Sequence, residues 1–170
     1  MPLILASDVG GTKSYLGLFR ADGDTLEPVA IERYVSTEYA GAAELLTTFV
    51  DHCRQRPDRV VLGVPGPVRH TPVLPVNLPW SIDPVQIAAA LDMGRVFLLN
   101  DLEAAAYGTL ALTDDDVIEI NRGEADPLGA KAIIAAGTGL GEAGLAWADG
   151  HYVAVPSEGG HASFAPGTEL

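Results

Sequence analysis

The chain has 170 residues and a mass of 17.7 kDa, which is enough for one ordinary domain with a hydrophobic core and short for two. Hydrophobic residues make up 48% and charged residues 19% of it, a globular composition that excludes a disordered chain. The net charge of -13 excludes general binding to nucleic acid or to an anionic membrane surface, so a phosphate-bearing ligand has to be held by backbone N–H groups or a metal ion.

The cysteine content and the amino terminus indicate the cellular setting. Cys53 is the single cysteine, which rules out an intrachain disulfide and a cysteine-cluster metal site. The first residues lack the basic segment of a signal peptide, and their apolar run is too short to cross a membrane. We therefore predict a cytoplasmic chain without a membrane partner.

The first part of the chain alternates strand patterns with helical patterns. Apolar runs between turn residues predict three consecutive, antiparallel strands and then an amphipathic helix with Ser36 or Thr37 as its cap. Asp83-Pro84 predicts the start of another helix, which ends at Asp92 or Met93. The predicted strands of this part span residues 3–7, 15–20, 28–35, 59–64 and 96–99, and a third helix spans 102–112.

The second part opens as the first does. After a linker at 113–116 and a polar loop, the sequence predicts a strand at 131–136, a glycine loop at 137–141 and a hairpin with strands at 145–147 and 152–155. This order predicts an α/β fold with a mixed sheet. It also predicts two related lobes, a first at 1–112 and a second at 113–170 that is incomplete.

The segment Asp8-x-Gly10-Gly11-Thr12 lies between two predicted strands. Glycines let the backbone approach a phosphate and point N–H groups at it, and the threonine hydroxyl adds a donor. Asp8 at a strand end can hold Mg²⁺ through water, since this ion prefers oxygen ligands and keeps part of its hydration shell. An ordinary hairpin with a Gly-Gly turn is the alternative interpretation.

A second glycine loop follows the strand at 131–136. Its residues Gly139, Gly141 and Gly144 match the spacing of a dinucleotide-binding fingerprint. That fingerprint requires a helix after the loop, whereas a strand pattern follows here. We therefore reject a Rossmann oxidoreductase and predict a second nucleotide-phosphate loop.

Asn100 and Asp101 end an apolar strand and open a helix. A carboxylate at this position can accept a proton from a substrate hydroxyl and orient it for phosphoryl transfer. A helix cap is the equally simple structural alternative for Asp101.

Glu158 and His161 are separated by two glycines, so both side chains can face one polyhydroxylated ligand. Glutamate accepts hydrogen bonds from two hydroxyls, and a neutral histidine donates or accepts one. A metal pair is the alternative, although no third ligand lies nearby in the sequence. The remaining histidines, His52, His70 and His151, are interpreted as surface or structural residues.

Taken together, six segments resemble the bacterial glucokinase family of the hexokinase, actin and sugar-kinase superfamily. They occur in the family's order and cover essentially the whole chain: Asp8-Val9-Gly10-Gly11-Thr12, Gly63-Val64-Pro65-Gly66-Pro67-Val68, Asn77-Leu78-Pro79-Trp80, Leu99-Asn100-Asp101, Gly137-Thr138-Gly139-Leu140-Gly141 and Glu158-Gly159-Gly160-His161-x-x-Phe164-Ala165-Pro166.

The resemblance implies a ribonuclease-H-like (actin-like ATPase) fold and transfer of the γ-phosphoryl group of ATP, with Mg²⁺, to the 6-hydroxyl of D-glucose. Asp101 matches the family's catalytic base, and Asn100 matches a sugar ligand. The pair Glu158 and His161 matches ligands of the sugar's far side, and Asn77 lines the sugar pocket. The matching phosphate loops are Gly10, Gly11 and Thr12 for the first and Gly137, Thr138 and Gly139 for the second.

Two departures from the family are visible. Lys13 stands where some relatives carry asparagine, and the family's chain is longer. We therefore expect this chain to be the amino-terminal portion of such a protein and to have little kinase activity alone.

Two alternatives stay open: a repressor/kinase-type sugar kinase acting on another hexose, and a non-catalytic sugar-binding or regulatory module. The sequence also leaves a homodimer open.

Overall fold

A computed structural model of the chain describes residues 1–23, 25–75, 77–124, 126–137 and 139–162. It divides into two compact units, Met1–Asp101 and Leu102 onward. The sequence-based boundary lies further along, at residue 112. The helix before that boundary packs in the second unit, since Ala106 is buried against strand residues Ala143, Leu145 and Ala154.

The first unit is built on a five-stranded mixed sheet. Its strands are β1 (Leu3–Val9), β2 (Lys13–Asp22), β3 (Thr25–Val35), β4 (Arg59–Val64) and β5 (Phe97–Asn100), in the order β3-β2-β1-β4-β5. β1, β2 and β3 pair antiparallel, as predicted, whereas β4 and β5 run parallel to β1. The mixed α/β sheet expected from the element order is therefore confirmed.

The core of the first unit lies between this sheet and α1 (Ala42–Cys53). Alternate residues of the strands point into it, as expected for a sheet with one covered face. α1 contributes Leu45, Leu46 and Phe49, the apolar face that the sequence predicts. Fully buried members are Leu5, Val9, Leu16, Leu18, Leu45, Leu46, Phe49, Val60, Leu62, Val64 and Ile82.

The serine or threonine cap predicted for the first helix is wrong. α1 begins at Ala42, and its N-cap residue is Gly41, so within the described part of the chain neither Ser36 nor Thr37 caps it. Ser36 instead begins a short turn of 3₁₀ helix, Ser36–Glu38, and is fully buried. Its side chain instead donates a hydrogen bond to the turn between β1 and β2.

Helix α2 (Pro84–Ala90) has the predicted cap and ends earlier than predicted. The Asp83 carboxylate accepts a hydrogen bond from the Val85 N–H at 2.9 Å. Asp92 adopts a left-handed conformation, and the Met93 N–H donates to the Ala88 carbonyl at 2.8 Å. These two features close the helix before Asp92.

The second unit combines α3 (Asp101–Gly108, from Leu102 on) with an antiparallel sheet of β6 (Lys131–Ala136), β7 (Leu140–Ala148) and β8 (His151–Ser157). The helix predicted to reach residue 112 ends at Gly108 and continues as the 3₁₀ turn Thr109–Ala111. β7 follows the glycine loop directly, so the rejection of a helix-opening fingerprint is confirmed. Within the described residues, no helix is long and apolar enough to cross a membrane.

Candidate functional site

The carboxyl ends of three parallel strands meet at one edge of the sheet in the first unit. Asp8 of β1 pairs with Gly63 of β4, and Val64 pairs with Asn100 of β5. Asp101 follows directly as the first residue of α3. Because ligand sites of open α/β sheets lie outside the carboxyl ends of their strands, this edge is the candidate site.

The carboxyl groups of Asp8 and Asp101 interact across this edge. Partial burial raises the pKa of Asp8 above its ordinary 3.8, and the negative charge of Asp101 raises it further. The Asp8 side chain still reaches solvent, so the site is an accessible acidic pair that favours uptake of a proton or a cation. The described residues contain no group of three or more histidine, cysteine and acidic side chains that could hold a metal ion.

The side chain of Asn100 is oriented by the neighbouring strand end. Its Nδ2 donates to the carbonyl of Gly66, in the turn after β4, at 3.2 Å. This hydrogen bond joins two of the six segments that carry the family resemblance, the one with Asn100-Asp101 and the one with the Pro-Gly-Pro turn. The Asn100 carboxamide is therefore held in place beside Asp101 by the backbone of β4's exit turn.

The first glycine turn connects β1 to β2 in a tight conformation. The Gly10 N–H donates to the Lys13 carbonyl at 3.1 Å. A Cβ atom on Gly10 would lie 2.6 Å from the same carbonyl oxygen, and one on Gly11 would lie 2.6 Å from the Cβ of Asn77. Glycine is thus required at both positions, and the turn brings Gly11 and Asn77, two predicted site residues, into direct contact.

Ser36 also fixes the conformation of this turn, a role that the sequence patterns did not predict. Its hydroxyl donates to the Gly10 carbonyl at 2.7 Å, and its N–H donates to the Thr12 carbonyl at 3.0 Å. The Ser14 hydroxyl lies 2.9 Å from the Ser36 hydroxyl. A serine shortly before a helix is a common cap, so the local pattern favoured the wrong partner.

A cavity of about 350 Å³ opens beside Asn77 in the first unit, a volume within the usual range of about 300–1,000 Å³ for small-molecule sites. His70, which the sequence patterns did not single out, contributes to its wall. Its lining residues are Pro65, Gly66, Pro67, His70, Pro72, Val73, Leu74, Pro75 and Asn77.

Another cavity of about 330 Å³ lies between the end of α1 and α2. Arg54, Arg56 and Leu91 are among its lining residues, and none of the predicted site residues that the structure describes lines it. Its position away from the strand ends leaves the cavity beside Asn77 as the better candidate pocket.

In the second unit, the glycine loop and the Glu158–His161 turn pack against each other. The Gly137 N–H donates to the Gly139 carbonyl at 2.9 Å. The turn approaches the start of β7 so closely that a Cβ on Gly160 would overlap the Leu140 carbonyl oxygen. Thr138 and the Phe164-Ala165-Pro166 segment lie outside the described residues.

Glu158 and His161, which the sequence predicts to face one ligand, contact each other. His161 Nδ1 lies 3.2 Å from Glu158 Oε2, and both side chains are largely exposed. The 3₁₀ turn Gly159–His161 places the two side chains on one side. Their polar atoms are thus together and accessible to a ligand with several hydroxyl groups.

Comparison with known proteins identifies relatives along the whole chain. A family model described as Glucokinase matches residues 5–170. A glucokinase of Nostoc sp. is 34% identical over 173 residues, which cover 100% of this chain and 51% of that protein. A glucokinase of Sinorhizobium medicae is 34% identical over 169 residues, which cover 98% of this chain and 49% of that protein. The chain therefore spans about half the length of the curated relatives it matches.

Solved structures share the fold. The crystal structure of a glucokinase from an Antarctic psychrotroph matches with a TM-score of 0.87 at 26% identity, covering 99% of this chain and 54% of that one. A ROK-family glucokinase from Streptomyces griseus, in complex with glucose and AMPPNP, matches with a TM-score of 0.62 at 20% identity, covering 88% of this chain and 46% of that one. The predicted ribonuclease-H-like (actin-like ATPase) fold is thereby confirmed.

Proposed function

The chain belongs to the glucokinase family, and we propose that the protein transfers the γ-phosphoryl group of ATP to the 6-hydroxyl of D-glucose. The observation that carries this proposal is the edge where Asp8, Asn100 and Asp101 lie together at the ends of parallel strands. Phosphoryl transfer to an alcohol needs a carboxylate that accepts the hydroxyl proton, and it needs groups that position the phosphates and neutralise their charge. This edge of the sheet has candidate residues for each of these tasks.

Asp101 is the proposed base. Its carboxylate accepts the proton of the 6-hydroxyl as the glucose oxygen forms its bond to the γ-phosphorus, the bond to the β-phosphate oxygen breaks, and ADP leaves. The proton then passes from Asp101 to water. Asn100, held by the Gly66 carbonyl, is positioned next to this base to bind another sugar hydroxyl.

Asp8 is the residue proposed to hold Mg²⁺ through water. Its carboxyl group fits the ion, because burial and the Asp101 charge disfavour its negative charge and a divalent cation would offset both. Mg²⁺ bound to ATP would neutralise charge on the phosphates. Gly10, Gly11 and Thr12 supply backbone N–H groups and a hydroxyl for phosphate oxygens, and in the second unit the proposed phosphate loop is Gly137 to Gly139.

The sugar ligands proposed besides Asn100 are Asn77, Glu158 and His161. Asn77 lies between the Gly11 turn and the 350 Å³ cavity, where its carboxamide can bind a hydroxyl. Glu158 accepts hydrogen bonds from two hydroxyls, and its neighbour His161 binds a third. We also propose a cytoplasmic location, where ATP is available.

The experiment pairs two variants of the protein as its source cell makes it. Asp101→Asn should lower kcat at least about 100-fold, the usual contribution of a general base, and leave glucose binding nearly unchanged. Glu158→Gln should instead weaken glucose binding about tenfold, because a charged acceptor of hydroxyl hydrogen bonds is lost. The rate of glucose 6-phosphate formation measures the first effect, and calorimetric titration with glucose measures the second. Mannose and glucosamine serve as competing substrates.

Asp149→Asn is the matched control, since Asp149 lies in the β7–β8 turn in a left-handed conformation that asparagine tolerates. It should behave as the wild-type protein does. Normal turnover in Asp101→Asn would remove Asp101 as the base. Glucose binding by a wild-type protein that forms no glucose 6-phosphate would favour a non-catalytic sugar-binding module.

A further inference from the structure

The hydroxyl groups of Ser14 and Ser36 are buried beneath the first glycine turn. Neither residue exposes any surface, and the two hydroxyl oxygens lie 2.9 Å apart. The Ser36 hydroxyl donates its hydrogen to the Gly10 carbonyl, so the Ser14 hydroxyl is the donor between the two serines. Burying a hydroxyl costs free energy unless it is hydrogen-bonded, and this arrangement commits both hydroxyls to the turn.

Ser36 contacts the turn at two places. Its side chain bonds to the Gly10 carbonyl at 2.7 Å, and its N–H bonds to the Thr12 carbonyl at 3.0 Å. Ser36 comes directly after β3, which pairs with β2 along its whole length. These two hydrogen bonds therefore connect the turn to the end of β3 in the sheet.

The direction of one N–H group follows from the first of these bonds. In a planar trans peptide the C=O and the next N–H point in opposite directions. Since the Gly10 carbonyl points at Ser36, the N–H of Gly11 points to the opposite side of the turn. An N–H group with a fixed direction binds an anion better than one that has to be ordered at binding.

We propose that Ser36, backed by Ser14, is a positioning residue that aims the Gly11 N–H at the phosphates of the phosphoryl donor. This role rests on the proposed function for its substrate. Ser36 touches neither the donor nor the sugar and acts only through the backbone of the turn. The effect of its removal should consequently appear in the handling of ATP and not in the handling of glucose.

The test is a comparison of Ser36→Ala with Ser7→Ala in the protein as its source cell makes it. Ser36→Ala should raise KM for ATP about tenfold, the effect of one misaligned hydrogen bond to a charged group, and change KM for glucose less than twofold. Ser14→Ala leaves the bond to Gly10 intact, and should raise KM for ATP less than threefold. A purely structural role would lower the thermal midpoint and leave the two KM values in their original ratio.

Ser7→Ala is the matched control, because the Ser7 hydroxyl is also buried in this sheet and has no hydrogen-bond partner among the residues that the structure describes. It should leave both KM values unchanged. Equal effects of Ser36→Ala and Ser7→Ala, or equal changes in both KM values, would overturn the proposal. If Ser36→Ala does not fold at the assay temperature, Ser36→Cys, which replaces the hydroxyl by a weak donor of similar size, has to show the same split, and its absence there would also overturn the proposal.

Failure of the proposed function gives a different result. In that case the wild-type protein forms no glucose 6-phosphate, and ATP binding is measured by calorimetry instead. About tenfold weaker ATP binding by Ser36→Ala, with Ser7→Ala unchanged, would then support the positioning role although the kinase assignment has failed. Unchanged ATP binding by Ser36→Ala would overturn it.

Discussion

Glu32 on β3 accepts hydrogen bonds from two side chains. The Tyr34 hydroxyl donates to its Oε2 at 2.5 Å, and His52 Nδ1 lies 3.1 Å from the same oxygen and 2.9 Å from Oε1. The bond from Tyr34 is the largest cause that lowers the pKa of Glu32 below its ordinary 4.5, with partial burial opposing it and His52 adding to it. The ionised form of Glu32 is therefore stabilised by folding.

Glu32→Gln should make the free energy of unfolding less dependent on pH. A lowered folded pKa stabilises the protein above the unfolded pKa, near 4.5, and this contribution is lost as the pH falls through the folded value. Urea unfolding at pH 7 and pH 3 should show a clear difference between wild type and Glu32→Gln at pH 7 and a smaller one at pH 3. Tyr34→Phe should reproduce most of this behaviour. A difference of the same size at both pH values would contradict the prediction.

At the scale of single elements, the turn between β1 and β2 is fixed by contacts with a distant segment. A Cβ on Gly11 would lie 2.6 Å from the Cβ and 2.8 Å from the carbonyl oxygen of Asn77. Neither atom belongs to a flexible side-chain end, so the backbone of one segment has to move. The packing of the turn thus depends on the segment that contains Asn77.

Gly11→Ala should lower the free energy of unfolding by about 1–3 kcal/mol, the typical cost of overpacking. Gly94→Ala is the control, since its added methyl group would have no atom of the described residues within 4 Å and its backbone needs no left-handed conformation. It should be neutral or slightly stabilising, because alanine restricts the unfolded chain more than glycine does. Chemical denaturation of both variants measures the difference, and equal stabilities would show that the turn adapts at no cost.

The elements also show which features a sequence can predict. β4 and β6 begin and end where their apolar runs do, and Asp83 caps α2, because these signals are local. The strand-end position of Asp101 was predictable for the same reason. The role of Ser36 was not, since its partner Gly10 lies 26 residues away and the local pattern equally suits a helix cap. The contact of Gly11 with Asn77 likewise depends on tertiary packing.

At the scale of the whole molecule, the two units differ in the size of their buried side chains. The core of the first unit contains Phe49 and many leucine, isoleucine and valine residues. In the second unit, three of the four buried core residues that the structure describes are alanines, Ala106, Ala143 and Ala154, and the fourth is Leu145. Since the free energy of burial grows with apolar area, the first core supplies far more stabilisation than the second.

The second sheet should therefore open more easily than the first. Native-state hydrogen exchange should show amides of β7 exchanging well before those of β1, since opening of a region with few buried apolar contacts costs less free energy. The comparison is matched, because β7 and β1 each have a hydrogen-bonded strand on both sides, so edge exposure affects neither. Equal protection of β7 and β1 would mean that the two units unfold as one cooperative body. Earlier exchange in β7 would mean that the sheet next to the second glycine loop and the Glu158–His161 pair is the less stable of the two. A ligand bound to these residues would then slow amide exchange in β7 more than in β1.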